Sequence, residues 1–166
     1  MVYGVYWLIA GVIVLLLALY AGRLLWQLRQ QTIAEKAQKQ KLQAKQLQRD
    51  IDVLNSVILI AKAMNQQQCD ISEGCWRLSV LIESMESHAD RFIEKFPAIF
   101  NLYNDIKHMP ILDKRKALSK KERLKLDLER MGIEEKLEPE VNRNVEGLEP
   151  YAIELKVELQ ARLSQN

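Results

Sequence analysis

Residues 47–64 read LQRDIDVLNSVILIAKAM, and the spacing of their apolar positions decides the fold class. Leu47, Ile51, Leu54, Ile58 and Ala61 follow one another at intervals of four and three residues. That rhythm places them on one stripe of an α-helix. Val53, Val57, Ile60 and Met64 make a second stripe on the same segment. A helix that is apolar on two sides must be covered on two sides, so it belongs inside a bundle. Upstream the seam continues, more weakly, through Ala37, Gln40 and Ala44. Residues 24–48 contain neither Gly nor Pro and are rich in Gln, Lys, Ala and Leu, all compatible with helix. One helix is therefore expected to run as a solvated stalk over residues 23–50 and to enter a packed domain near residue 50.

Further upstream, Tyr3 to Gly22 reads YGVYWLIAGVIVLLLALYAG, without a charged side chain. Twenty helical residues cover roughly 30 Å, the hydrocarbon thickness of a bilayer. Tyr3, Tyr6 and Trp7 stand at one end and Tyr20 and Trp26 at the other, as aromatic belts do at the two headgroup levels. Residues 1–22 thus read as a transmembrane anchor. A cleaved signal peptide fits less well, because no Lys or Arg precedes Arg23 and large residues occupy the −3 positions of the candidate cleavage sites. Gly4, Gly11, Ala18 and Gly22 share one face of the span and would let two spans approach closely; small residues are also common in spans without any such role.

Charge is distributed unevenly. Lys and Arg total 24 and Asp and Glu 22, yet residues 23–50 hold seven basic groups against Glu35 and Asp50. The remaining 17 basic and 20 acidic groups fall in residues 51–166. With all nearby basic residues C-terminal to the span, the positive-inside rule puts the N-terminus outside and residues 51–166 in the cytoplasm. A reducing cytoplasm argues against a disulfide between Cys69 and Cys75. The neck residues Arg23, Arg29, Lys36 and Lys39 would meet anionic headgroups of the lipid bilayer, although a solvated, orienting role explains the same charges. Nucleic acid is not an expected partner, since no aromatic residues interleave the neck charges and the distal part is net acidic.

Downstream, Asp70-Ile-Ser-Glu73 is a helix-start signature, an Asp cap with Glu three residues later, and Ser119-Lys-Lys-Glu122 is a capping box. Apolar residues Ile71, Cys75, Leu78, Ile82 and Met85 keep helical period after the first. A third helix is expected over residues 89–107, broken at Pro97, and carries Phe92, Phe96, Phe100 and Tyr103. These four rings are a candidate partner surface, with core packing the stronger reading. Met109 to Lys116 is expected to be a linker. The helix after Ser119 has Leu124, Leu128, Met131 and Glu135 on one face, with Gly132 weakening it and Pro139 bending or ending it; a last helix is expected to begin at Pro150. No segment alternates as a strand does. The class is all-α, with four to six helices forming a bundle over residues 51–166, long enough for its own core.

Chemistry is thinly represented. Six Gly and four Pro leave no phosphate-binding loop, and none of the GxSxG or HExxH patterns occurs. The spacing of Cys69 and Cys75 matches no metal knuckle, and His88 and His108 stand twenty residues apart. Glu134, Glu135, Glu138 and Glu140 lack the His that a di-metal bundle requires. No catalytic residue, metal site or cofactor is expected. The basic run from Lys114 to Arg123 reads best as a solvated linker and helix face balanced by Asp127 and Glu129, with a partner-binding patch as the alternative.

Two segments, FPAIFNLYNDIKHMPI at 96–111 and LSKKERLKLDLERM at 118–131, carry a resemblance. They are similar to an uncharacterised family of small bacterial inner-membrane proteins with one N-terminal span and a helical cytoplasmic domain. That resemblance implies location and layout and transfers no activity. The resulting expectation is a non-enzymatic, membrane-anchored interaction or scaffold protein with a protein partner, and with a homodimer through the span or the seam left open. The alternatives are a lipid-surface sensor acting through the neck and a metal- or cofactor-binding helical bundle with enzymatic activity.

Overall fold

The computed structural model describes the backbone of residues 2–165, and the side chains of these except residues 2–10, 12–18, 21, 27, 28, 33, 34 and 112. Six helices follow in order: α1 (Val2–Asn65), α2 (Ile71–Glu83), α3 (Ala89–Lys95), α4 (Pro97–Ile106), α5 (Leu112–Lys116) and α6 (Lys120–Ser164). No strand occurs among the described residues. The chain divides into two compact units, residues 1–45 and 46–166.

The described residues of the first unit are all helical, and the described side chains of residues 22–43 are exposed. Among the described residues no helix is long and apolar enough to cross a membrane. Most side chains of the expected span, residues 3–22, lie outside the described ones, so that expectation rests on sequence alone.

The second unit is a bundle around one core. Both apolar stripes of residues 47–64 are used: Ile51, Leu54, Val57, Ala61 and Met64 are buried, and Leu47, Val53, Ile58 and Ile60 pack half-buried against them. From α2 come Cys75, Leu78 and Ile82, from α4 Ala98, Ile99, Phe100, Leu102 and Ile106, and from α6 Val141, Val145, Leu148, Ala152, Leu155 and Leu159. The α4 helix packs on both α2 and α6. Burying each large aliphatic or aromatic side chain contributes about 1.5–3 kcal/mol, which sets this core as the main source of stability. Gly74 leaves room for the thioether of Met64: a Cβ there would stand 2.7 Å from Met64 Cε, and the methionine side chain would have to shift.

Helix ends differ in how they are capped. At the start of α6 the box is complete: the Glu122 amide donates to Ser119 Oγ at 3.3 Å, and the Ser119 amide donates to Glu122 Oε2 at 2.8 Å. At the start of α2, Asp70 occupies the cap position but makes no cap hydrogen bond, and Glu73 pairs with Arg77 one turn on. The α3–α4 break falls at Phe96 (φ −127°, ψ 55°), with Pro97 as the first residue of α4. Here the orphan amide of Ala98 donates to Asn144 Oδ1 at 2.9 Å, so α6 caps α4 across the bundle.

Two expectations are corrected. Residues 109–116 are not wholly a linker, since Leu112–Lys116 form the single turn and a half of α5. Pro139 and Pro150 neither end one helix nor begin another; α6 continues through both. Each proline removes one amide, leaving the carbonyls of Glu135 and Glu146 without that donor. Both prolines and both glutamates are exposed, so water can satisfy those carbonyls. Buried Val141, Val145, Leu148 and Ala152 meanwhile hold the intervening turns to the core.

Candidate functional site

The rings singled out as a contact surface are mostly interior. Phe92, Phe96 and Phe100 are buried, and only Tyr103 is half-exposed. Phe92 and Phe96 pack edge-on against Tyr151 of α6, at centroid distances of 5.1 and 5.6 Å, and Lys95 Nζ lies 4.0 Å over the Tyr151 ring. Tyr103 packs edge-on against Trp76 at 5.3 Å. The core reading describes the three phenylalanines; their apolar area is already spent on folding, so they form no docking surface.

Of the proposed span face, Gly4 and Ala18 lie outside the described side chains, and Gly11 and Gly22 have nothing within 4 Å of a Cβ built on them. Arg23, Arg29, Lys36 and Lys39 are all exposed.

The side chains considered for chemistry are scattered. Cys75 is buried and its thiol is pushed up to about 12 by desolvation, while Cys69 is half-buried with its thiol also raised by burial. Neither is an activated nucleophile. His88 is buried with Nδ1 making no hydrogen bond, and His108 lies at the surface, 3.6 Å from Glu129. Asp50 is buried and its carboxyl is raised by desolvation, against the pull of His88 and Arg49. Among the described residues no three His, Cys, Asp or Glu side chains gather as a metal site.

What the second unit does offer is a cleft of about 500 Å³. Its apolar wall is Trp76, Ile106, Met109, Pro110, Ile111 and Leu126. Its charged rim is Asp70 before α2, Glu73 and Arg77 of α2, Arg115 of α5, and Asp127 and Arg130 of α6. Most of the rim charges are paired, Glu73 with Arg77 and Asp127 with Arg115 and Arg130. Arg115 Nη2 reaches both oxygens of Asp127, at 2.8 and 2.9 Å. Arg130 lies 3.9 Å from Asp127 and 3.6 Å from Glu134. The hydrogen bond from Arg115 holds the Asp127 carboxyl below the usual carboxylate range. Ser72 lines the cleft as well, buried and without a hydrogen-bond partner for Oγ. The fold brings these together because α5 turns the chain back after Pro110, setting Arg115 against the first half of α6.

The balance of the basic run by Asp127 was visible in the sequence. The cleft itself was not, because its wall combines the start of α2, the end of α4 and the first turns of α6. Trp76, Ile106 and Ile111 carry no local signal that they share a surface.

Residues 14–148 match the family described as "Protein of unknown function (DUF2489)". The chain is also 35% identical over 141 residues to an uncharacterised protein of Haemophilus influenzae, covering 85% of this chain and 89% of that one. No solved structure matches it.

Proposed function

The chain belongs to the DUF2489 family, and from that premise we propose that it is a membrane-anchored, non-enzymatic interaction protein. Residues 3–22 cross the inner membrane with the N-terminus outside, the basic residues that follow sit at the cytoplasmic surface, and residues 46–166 bind a protein partner in the cytoplasm. The cleft carries this reading. Its apolar wall suits one or two hydrophobic side chains of an incoming segment. Most of its rim charges are engaged with each other, which favours orienting a partner over attacking a substrate. Anchoring would raise the local concentration of that partner at the membrane.

The test is in-cell crosslinking of the full-length tagged protein, followed by mass spectrometry, beside an Ile111→Asp variant. Ile111 is 50% exposed at the cleft wall, so the change leaves the core untouched while placing a charge where apolar side chains should dock. The expected result is a protein crosslinked to the parent chain and lost from the variant. Identical crosslinks from both would refute the cleft as the binding site. A C-terminal fusion that fluoresces only in the cytoplasm checks the orientation.

A second reading rests on the exposed Arg23, Arg29, Lys36 and Lys39, which suit a lipid-surface role. It predicts vesicle binding by residues 23–166 that increases with anionic lipid and falls with salt.

A further inference from the structure

The first half of α6 carries an apolar stripe that the fold does not cover. Leu124, Leu128 and Met131 are 59%, 61% and 58% exposed. They belong to a longer row, Lys121, Leu124, Leu128, Met131, Glu135 and Glu138, spaced three, four, three, four and three residues apart. All six side chains are exposed. The helix turns its other side, through Leu126, Ile133 and Leu137, toward the cleft and core. The row is therefore a heptad seam facing outward.

The row is also its own complement. About a midpoint between Glu129 and Arg130, Leu128 mirrors Met131, Leu124 mirrors Glu135, and Lys121 mirrors Glu138. Residues 120–125 hold four basic groups against Glu122, and residues 134–140 hold four acidic groups against Lys136. Two such helices side by side and antiparallel bring the basic end of each onto the acidic end of the other. In parallel they would set like charges together. Among the described residues, Lys121, Glu135 and Glu138 form no ion pair within the chain.

We propose that this face of α6 is a two-fold dimer interface, in which α6 of a second copy of this chain lies antiparallel across Leu124, Leu128 and Met131. Lys121 then meets Glu138 of the other copy at both ends of a central Leu128–Met131 contact. Ile153 and Val157 lie exposed on the same side of α6 further along. A longer register that joined them to Leu128 and Leu124 would set Glu135 against Glu146 of the other copy, so charge selects the shorter one. Gly132 fits this arrangement. A glycine is unfavourable in a helix interior, and a Cβ there would meet nothing within 4 Å in its own chain. At the flank of the row it leaves the edge of the face free of a side chain. Three apolar side chains per copy make a small interface, so the dimer forms and dissociates with concentration, and anchoring in one membrane would favour it. The inference is independent of what binds in the cleft.

The test measures the mass of the full-length chain in mild detergent by sedimentation velocity across a concentration series. The parent chain is expected to pass from monomer to dimer. Leu128→Asp should raise the dissociation constant about tenfold or more while leaving unchanged the thermal midpoint measured at concentrations where the parent chain is monomeric. Lys121→Glu and Glu138→Lys should each weaken the dimer, and the chain carrying both should recover it. Two differently tagged copies, one with Leu128→Cys and one with Met131→Cys, should form a mixed disulfide that is absent without the introduced cysteines. A chain that stays monomeric throughout overturns the proposal. So does a dimer indifferent to Leu128→Asp, which would place the contact on the span or on α1. Failure of the double charge reversal to recover the dimer overturns it as well.

Discussion

At Gly74 a single hydrogen stands where a methyl group would collide with Met64. Both residues are buried, and overpacking of this kind costs about 1–3 kcal/mol. Gly74→Ala is expected to lower the thermal midpoint, and to cost less in a Met64→Ala background than in the parent chain; denaturant titration of the two single variants and the double variant checks this. Asp50 is the other residue whose setting is unusual. Burial raises its carboxyl above 3.8, so the folded chain holds that proton more tightly than the unfolded one. Its favourable contribution is present below about 3.8 and is lost as pH rises through the raised value. Asp50→Asn is therefore expected to stabilise the protein at neutral pH and to flatten its pH dependence above about 3.8, measured by melting curves at a series of pH values. Neither feature was legible in the sequence. Gly74 sits in the first turn of α2 without any local sign that Met64, ten residues away, fills its space. Asp50 looked like one more charge at the end of a basic neck.

At the scale of the element, sequence was most informative where the rule is local. The seam over residues 47–64 is helical and buried as its spacing requires, and the Ser119–Glu122 box closes as its pattern requires. It was least informative where a distant group decides. The same pattern at Asp70–Glu73 does not close, because Glu73 has Arg77 within reach on its own helix. The residues before α4 offer no local cap, yet Asn144, forty-six positions away, accepts from Ala98. Replacing Asn144 with Ala is expected to cost about 1–2 kcal/mol, the cost of leaving a buried amide without a partner, and to speed amide exchange at the start of α4. Pro139 shows packing overriding local preference. The helix already passes through it, so Pro139→Ala restores an amide without moving the chain. It is expected to stabilise the protein by up to about 3 kcal/mol, seen as a higher midpoint with unchanged helical content.

For the second unit as a whole, one core receives side chains from α1, α2, α4 and α6, so its helices should unfold together. Phe100→Ala is expected to cost about 3–5 kcal/mol and to shift the transition equally when read by helical signal and by the tertiary signal of Trp76, which packs on Tyr103 outside the mutated site. Separate transitions would mean that the unit is two cooperative blocks. Its helical class and the positions of most helices followed from periodicity. The two surfaces with prospects for binding did not. Leu124, Leu128 and Met131 were correctly placed on one face, but spacing alone does not say whether an apolar face turns inward or outward. That depends on where α2, α4 and α5 come to rest.

The sealed thiol of Cys75 also makes the molecule its own stopwatch. Cys69, half-buried near the surface, should take up an alkylating reagent first, within the folded chain. Cys75 can react only in those moments when the core parts, so its slower labelling counts them. The ratio of the two rates, followed with and without denaturant, yields the frequency of opening around α2. No probe need be introduced to measure it, because the sequence supplies one fast thiol and one slow thiol six residues apart.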